Sequence, residues 1–150
     1  MDSIDRKILI QLQRNAKQNT KEIADKVGLT ISPTSDRIKK LEKLGYIKGY
    51  KAVLEGAKIG FEITVYCQIS LSNHSRKLID NFKEKVLSLS EVIECHHLSG
   101  NYDFLLKVGV PDMNEYQNFV IDKLSVIEGI SNVQSSFVMQ EIKGEEGYAF

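Results

Sequence analysis

The chain has 150 residues, 42% of them apolar and 27% charged, which suits one ordinary domain or two small ones. No run approaches the ~18 apolar residues of a membrane helix, and MDSIDRK lacks the apolar stretch of a secretory leader. Cys67 and Cys95 are the only cysteines and have no metal-site spacing, so a soluble cytoplasmic protein without a metal or bound cofactor is expected.

The formal net charge is zero, but it is unevenly spread. Residues 1–51 hold twelve Lys/Arg against six Asp/Glu, whereas residues 52–150 hold eight against fourteen. A basic end and an acidic end imply divided labour, with the basic end offered to a polyanion.

In the basic end, Ile4, Ile8, Leu9, Leu12 and Ala16 recur at three- and four-residue spacing, one apolar stripe of a helix. Asp2 or Ser3 can cap it, and it should end between Asn15 and Gln18. Asn19 and Glu22 have capping-box spacing and open a second helix, with Ile23, Ala24 and Val27 inward and Gly28 as its stop. Thr30 can cap a third helix with Pro33 in its first turn. Thr34, Ile38, Leu41 and Leu44 should face inward, and Gly45 should end the helix. Tyr46–Tyr50 reads as a short exit strand.

Three short helices, the last two joined by a glycine-containing turn, make a helix-turn-helix pattern. The third helix starts small and hydroxylated and continues basic. Small residues allow approach to base edges, and Lys/Arg supply backbone attraction. Ser32, Ser35 and Arg37 are therefore candidates for base readout, and Lys39, Lys40 and Lys43 for phosphate contact on double-stranded DNA. A solvated three-helix bundle with solubilising lysines is the competing reading.

Beyond a Gly/Ala-containing linker over 52–60, residues 61–71 alternate as a strand with one buried face. A helix over 76–89, strands over 92–99 and 103–110 around Gly100-Asn101, a helix through Tyr116 to Ile127 and a last strand from Asn132 to about Ile142 follow. The order βαββαβ is ferredoxin-like. The predicted class is α+β: a winged-type helix-turn-helix over 1–51 and a ferredoxin-like domain over 61–150. Ile63, Val65, Phe104, Leu106, Val108 and Phe137 should face the helices. The opposite face, with Thr64, Tyr66, Leu105 and Val138, is partly apolar, and a second copy is its simplest cover, so a homodimer is expected.

Cys95, His96 and His97 cannot converge on one strand, because the middle residue points the other way. No nucleotide loop, zinc spacing or nucleophile triad is present, so an enzyme is not expected. A ferredoxin-like sensing or interaction protein, whose head binds DNA weakly or not at all, is the main alternative, and a small metabolic enzyme the lesser one.

Four segments carry a family resemblance: IDRKILIQLQRNAKQNTKEIADKVGL, SPTSDRIKKLEKLGYIKGY, ECHHLSGNYDFLLKVGVPDMNEY and VQSSFVMQEIK. In this order they resemble the leucine-responsive regulator and asparagine-synthesis regulator (Lrp/AsnC, feast/famine) family of transcription regulators over nearly the whole chain. The resemblance implies dimers that associate further, commonly to octamers, and an amino-acid effector. It places the effector near Ser99, Gly100, Asn101, Tyr102 and Asp103, with a hydroxyl at Ser135. Asn101 stands where the family often has aspartate. Asp103 can meet an ammonium, and Gly100 and Ser135 can accommodate a carboxylate.

Overall fold

Asp2 starts the first helix in the computed structural model, which describes residues 1–144 and 147–150. Its carboxylate accepts from the amides of Ile4 (2.9 Å) and Asp5 (2.8 Å), and Asp5 accepts in return from the Asp2 amide at 3.0 Å. Two otherwise orphaned helix amides and the cap amide are thereby satisfied, launching α1 (Ser3–Arg14). Asn15 is already extended, so the helix stops at the near edge of the expected range. α2 (Thr20–Val27) carries the expected Asn19/Glu22 capping box and closes on Gly28 at φ 75°. α3 (Ile31–Lys43) begins at Thr30, whose side chain makes no cap bond. Thr34 is fully buried, and its hydroxyl donates to the Thr30 carbonyl at 2.9 Å.

Two expectations for this region require correction. Leu44 is 60% exposed, and Ile47 packs on the head core in its place. The cause is a Schellman closure: the Gly45 amide donates to Glu42 and the Tyr46 amide to Leu41, with Gly45 at φ 76°. That turn swings Leu44 outward and brings the chain back over the core three residues later. Tyr46–Tyr50 is not a strand. Ile8, Ile23, Val27 and Leu41 form the buried centre, with Ile4, Leu9, Leu12, Leu29 and Ile38 around it.

The chain divides into two compact units, Met1–Val53 with Ile142–Phe150, and Leu54–Glu141. The segment Ile142–Phe150 thus clusters with the helical head. Gln13 holds it there: its side-chain amide donates to the Tyr148 carbonyl at 2.9 Å and accepts from the Tyr148 amide at 2.8 Å.

In the second unit a short 3₁₀ turn, Gly56–Ile59, precedes β1 (Ile63–Leu71), α4 (Arg76–Leu87), β2 (Val92–His97), β3 (Phe104–Val110), α5 (Met113–Asn118) and β4 (Ile130–Phe137). α5 runs on as a π-helical stretch, Phe119–Leu124. The sheet is antiparallel in the order β2-β3-β1-β4, as the ferredoxin-like pattern requires. β1 starts two residues later than the alternation suggested, and Phe61 is 44% exposed. Val65, Cys67, Ile69, Phe104, Leu106 and Val108 pack against Phe82, Val86, Tyr116 and Phe119 from the helices. Phe137 shares their face, pairing with Val65 and meeting the Tyr116 ring edge-on at 5.1 Å, but an edge strand leaves it 42% exposed. Register puts Tyr66 beside Lys107 and Ser136, and Gln68 beside Leu105 and Gln134, on the other face.

Phe82 is fully buried with its ring 4.3 Å from that of Phe104. Phe82→Ala is expected to destabilise the second unit by about 3–5 kcal/mol, read as a lowered urea midpoint by circular dichroism.

Candidate functional site

The head presents α3. Ser32, Lys39, Lys40 and Lys43 are exposed, and Ser35 and Arg37 are half-buried. Because Thr30 makes no side-chain cap, the Ile31 and Ser32 amides at the start of α3 stay available to an anion, whereas Pro33 has no amide hydrogen and the Thr34 amide donates to the Thr30 carbonyl. Among the described residues the three lysines have no ion pair. The basic, hydroxylated face expected from sequence is therefore assembled on one helix.

Arg37 is different from those lysines. Its Nη1 donates to Asp2 Oδ2 and Asp5 Oδ1, both at 2.7 Å, tying α3 to the start of α1. The Asp5 amide, followed by Arg37, holds the Asp2 carboxyl below the usual range. The Asp2 amide does the same to Asp5 and, together with Arg37, outweighs its burial. The two carboxylates in turn raise the guanidinium further. Arg37, expected at a base edge, thus has one nitrogen committed within the head. The sequence carried no signal for that pairing, since the partners lie 35 and 32 residues away. At the end of α3, Tyr50 donates to Glu42 at 2.9 Å, and burial first, then Glu42, pushes the phenol up to about 12.

The residues expected to meet an effector do not converge on one cavity. Ser99, Gly100 and Asn101 are exposed in the β2–β3 turn. Tyr102 donates to Gln134 at 2.5 Å, and Gln134 lies opposite Gln68 on the sheet face away from the helices. Ser135 points the other way, bonded to the Tyr116 hydroxyl, which also lies 3.2 Å from Cys67 Sγ. Burial first pushes both the Cys67 thiol and the Tyr116 phenol up, so both stay protonated. Asp103 is largely buried: Oδ2 accepts from the Leu71 amide and Oδ1 meets His74 Nε2, each at 2.7 Å. His74, a lone loop histidine in the sequence, is thus the hairpin's neighbour. His96 instead meets Glu94 at 3.2 Å, while His97 stacks on Phe104 with centroids 4.6 Å apart. No helix among the described residues is long and apolar enough to cross a membrane.

A helix-turn-helix head followed by a ferredoxin-like sheet domain defines a two-domain DNA-binding transcription regulator. Residues 1–48 match the winged helix-turn-helix DNA-binding family, and residues 64–148 match the Lrp/AsnC ligand binding domain. The chain belongs to the Lrp/AsnC family. It is 34% identical over 143 residues to the leucine-responsive regulatory protein of Escherichia coli K12, covering 95% of this chain and 87% of that protein. Its fold is similar to that of a Neisseria meningitidis transcriptional regulator solved with L-Met (TM-score 0.91, 33% identity, 96% and 93% covered). It is also similar to an AsnC family transcriptional regulator from Agrobacterium tumefaciens (TM-score 0.89, 38% identity, 96% and 94% covered).

The clamp predicts a pH response confined to acid. Asp2 and Asp5 titrate lower folded than unfolded, so their contribution is complete above the unfolded carboxylate pKa of ~4 and is lost as pH falls through the folded values. The melting temperature of the head should fall below about pH 4. Arg37→Met should lower it at neutral pH and flatten that fall, as followed by calorimetry.

Proposed function

We propose that this regulator works as a homodimer, or a higher assembly such as an octamer, that reads DNA through α3 and responds to an amino acid without catalysing a reaction. The single observation that carries the DNA reading is the exposure of Ser32, Lys39, Lys40 and Lys43 on one helix whose Ile31 and Ser32 amides are uncapped. The lysines attract phosphate, and Ser32 and Ser35 are small enough to let the helix approach base edges. Dimerisation is supported by the second sheet face, where Tyr66, Leu105 and Val138 are only partly covered.

The amino-acid reading is supported by the L-Met complex of the Neisseria relative and by the Lrp/AsnC ligand-binding match. In this chain Asp103 is the carboxylate offered to an ammonium. Its Oδ2 is committed to the Leu71 amide, but its Oδ1 partner, His74, is 71% exposed and free to swing aside. Ser135 is bonded to the Tyr116 hydroxyl, and where Tyr116 is the donor the Ser135 O–H remains able to donate to a ligand.

Binding-site selection from random duplex DNA, followed by titrations at several salt concentrations, tests the head. Each of Lys39→Ala, Lys40→Ala and Lys43→Ala should weaken all duplexes alike and reduce the salt slope by about 0.9. Ser32→Ala and Ser35→Ala should change which sites are enriched; an unchanged site would remove those serines from base readout. For the second domain, isothermal titration with L-methionine and a panel of other amino acids should give heat that Asp103→Asn abolishes while DNA affinity is retained. Equal heats in both proteins would remove Asp103 from the site.

A further inference from the structure

Arg37 is the one cation of α3 seen in an ion pair among the described residues, and the way it is held leaves part of it unused. Both hydrogens of Nη1 go to carboxylates, one to Asp2 and one to Asp5. Nε and Nη2 carry no hydrogen bond among the described residues. A guanidinium is planar, so pinning one nitrogen in two directions sets the plane and leaves the Nε/Nη2 edge with its donors side by side. The Arg37 side chain is 31% exposed, against 10% for Asp5, the inner of its two partners, and 51% for Asp2.

Charge distinguishes what that edge can read. Two carboxylates against one guanidinium leave the cluster with a net negative charge. Such a cluster gains nothing from a phosphate, unlike Lys39, Lys40 and Lys43, which have no ion pair among the described residues. Its two adjacent donors still match two adjacent acceptors, and on the major-groove edge guanine O6 and N7 provide that pair. Holding the long side chain before binding also spares the rotamer freedom it would otherwise lose on the DNA.

We propose that Asp5, assisted by Asp2, is a positioning residue for sequence recognition, orienting Arg37 so that its Nε/Nη2 edge reads a guanine. The inference rests on α3 being the DNA-reading helix, and it adds to the lysines that supply affinity and the serines that approach base edges one arginine that discriminates guanine.

The test uses the full chain and the duplex enriched from random DNA by the wild-type protein. It also uses a set of the same duplexes with each guanine replaced in turn by adenine. Arg37→Met should erase the preference for guanine at one position, by roughly 5- to 150-fold. Asp5→Asn should weaken the same preference by about 10-fold, and the double variant should be no worse than Arg37→Met alone. The salt slope should stay at the wild-type value in Arg37→Met, unlike in the lysine variants. Tighter binding of Asp5→Asn to every duplex alike would show that the carboxylates merely park a phosphate-seeking cation, overturning the inference. So would an intact guanine preference in Asp5→Asn when Arg37→Met has lost it. If Arg37→Met keeps every preference, Arg37 is no base contact and the inference falls, while the lysine slopes still report on α3. Asp2→Asn, at a carboxylate 51% exposed, is compared in the same way and decides the matter if Asp5→Asn fails to fold.

Discussion

A three-helix head with so few buried side chains depends on polar locks to fix its angles. Ile8, Ile23, Val27 and Leu41 hold the helices together, but apolar contact is non-directional and specifies orientation weakly. The Arg37 bonds to Asp2 and Asp5 add a directional tie between α3 and the first turn of α1. The same carboxylates serve as cap and capping partner for α1. One small cluster therefore starts a helix, fixes the neighbouring one and sets the direction of an arginine. The Schellman turn after α3 and the Tyr50–Glu42 bond secure the other end of that helix.

The second unit solves a different problem. Its centre is β1, paired on both sides and alternately buried, and it carries the helices on one face. Polar groups inside this layer are matched to one another: Cys67, Tyr116 and Ser135 form one chain, and Asp103 secures the amide at the end of β1. Buried polar atoms need such partners, because an unmet one costs about 1–3 kcal/mol.

The uneven charge is resolved by this division. The basic residues of the first fifty include the α3 lysines, which have no ion pair among the described residues, while acidic residues of the second unit are partly neutralised in place, as with Glu91 and Lys123 or Glu94 and Lys107. A formal total of zero therefore describes neither surface.

Much of the architecture was legible in the residues themselves. Three- and four-residue spacing located α1, α2 and α3; Asn19 with Glu22 and Gly28 marked both ends of α2; alternation from Phe61 to Leu71 named the buried face of β1, two residues too early at its start. These signals are local, since caps and periodicity act within a few residues. The βαββαβ order also constrained the sheet, because a chain of that pattern has few ways to cover one face with two helices. Tertiary structure alone decided the exchange of Leu44 for Ile47 in the core and the absence of a strand at Tyr46–Tyr50. It alone also decided the pairing of Arg37 with α1, of His74 with Asp103 and of Ser135 with Tyr116. Each of those outcomes depends on how elements approach one another in space, and a side chain's partner across such an approach leaves no periodic trace in its own neighbourhood.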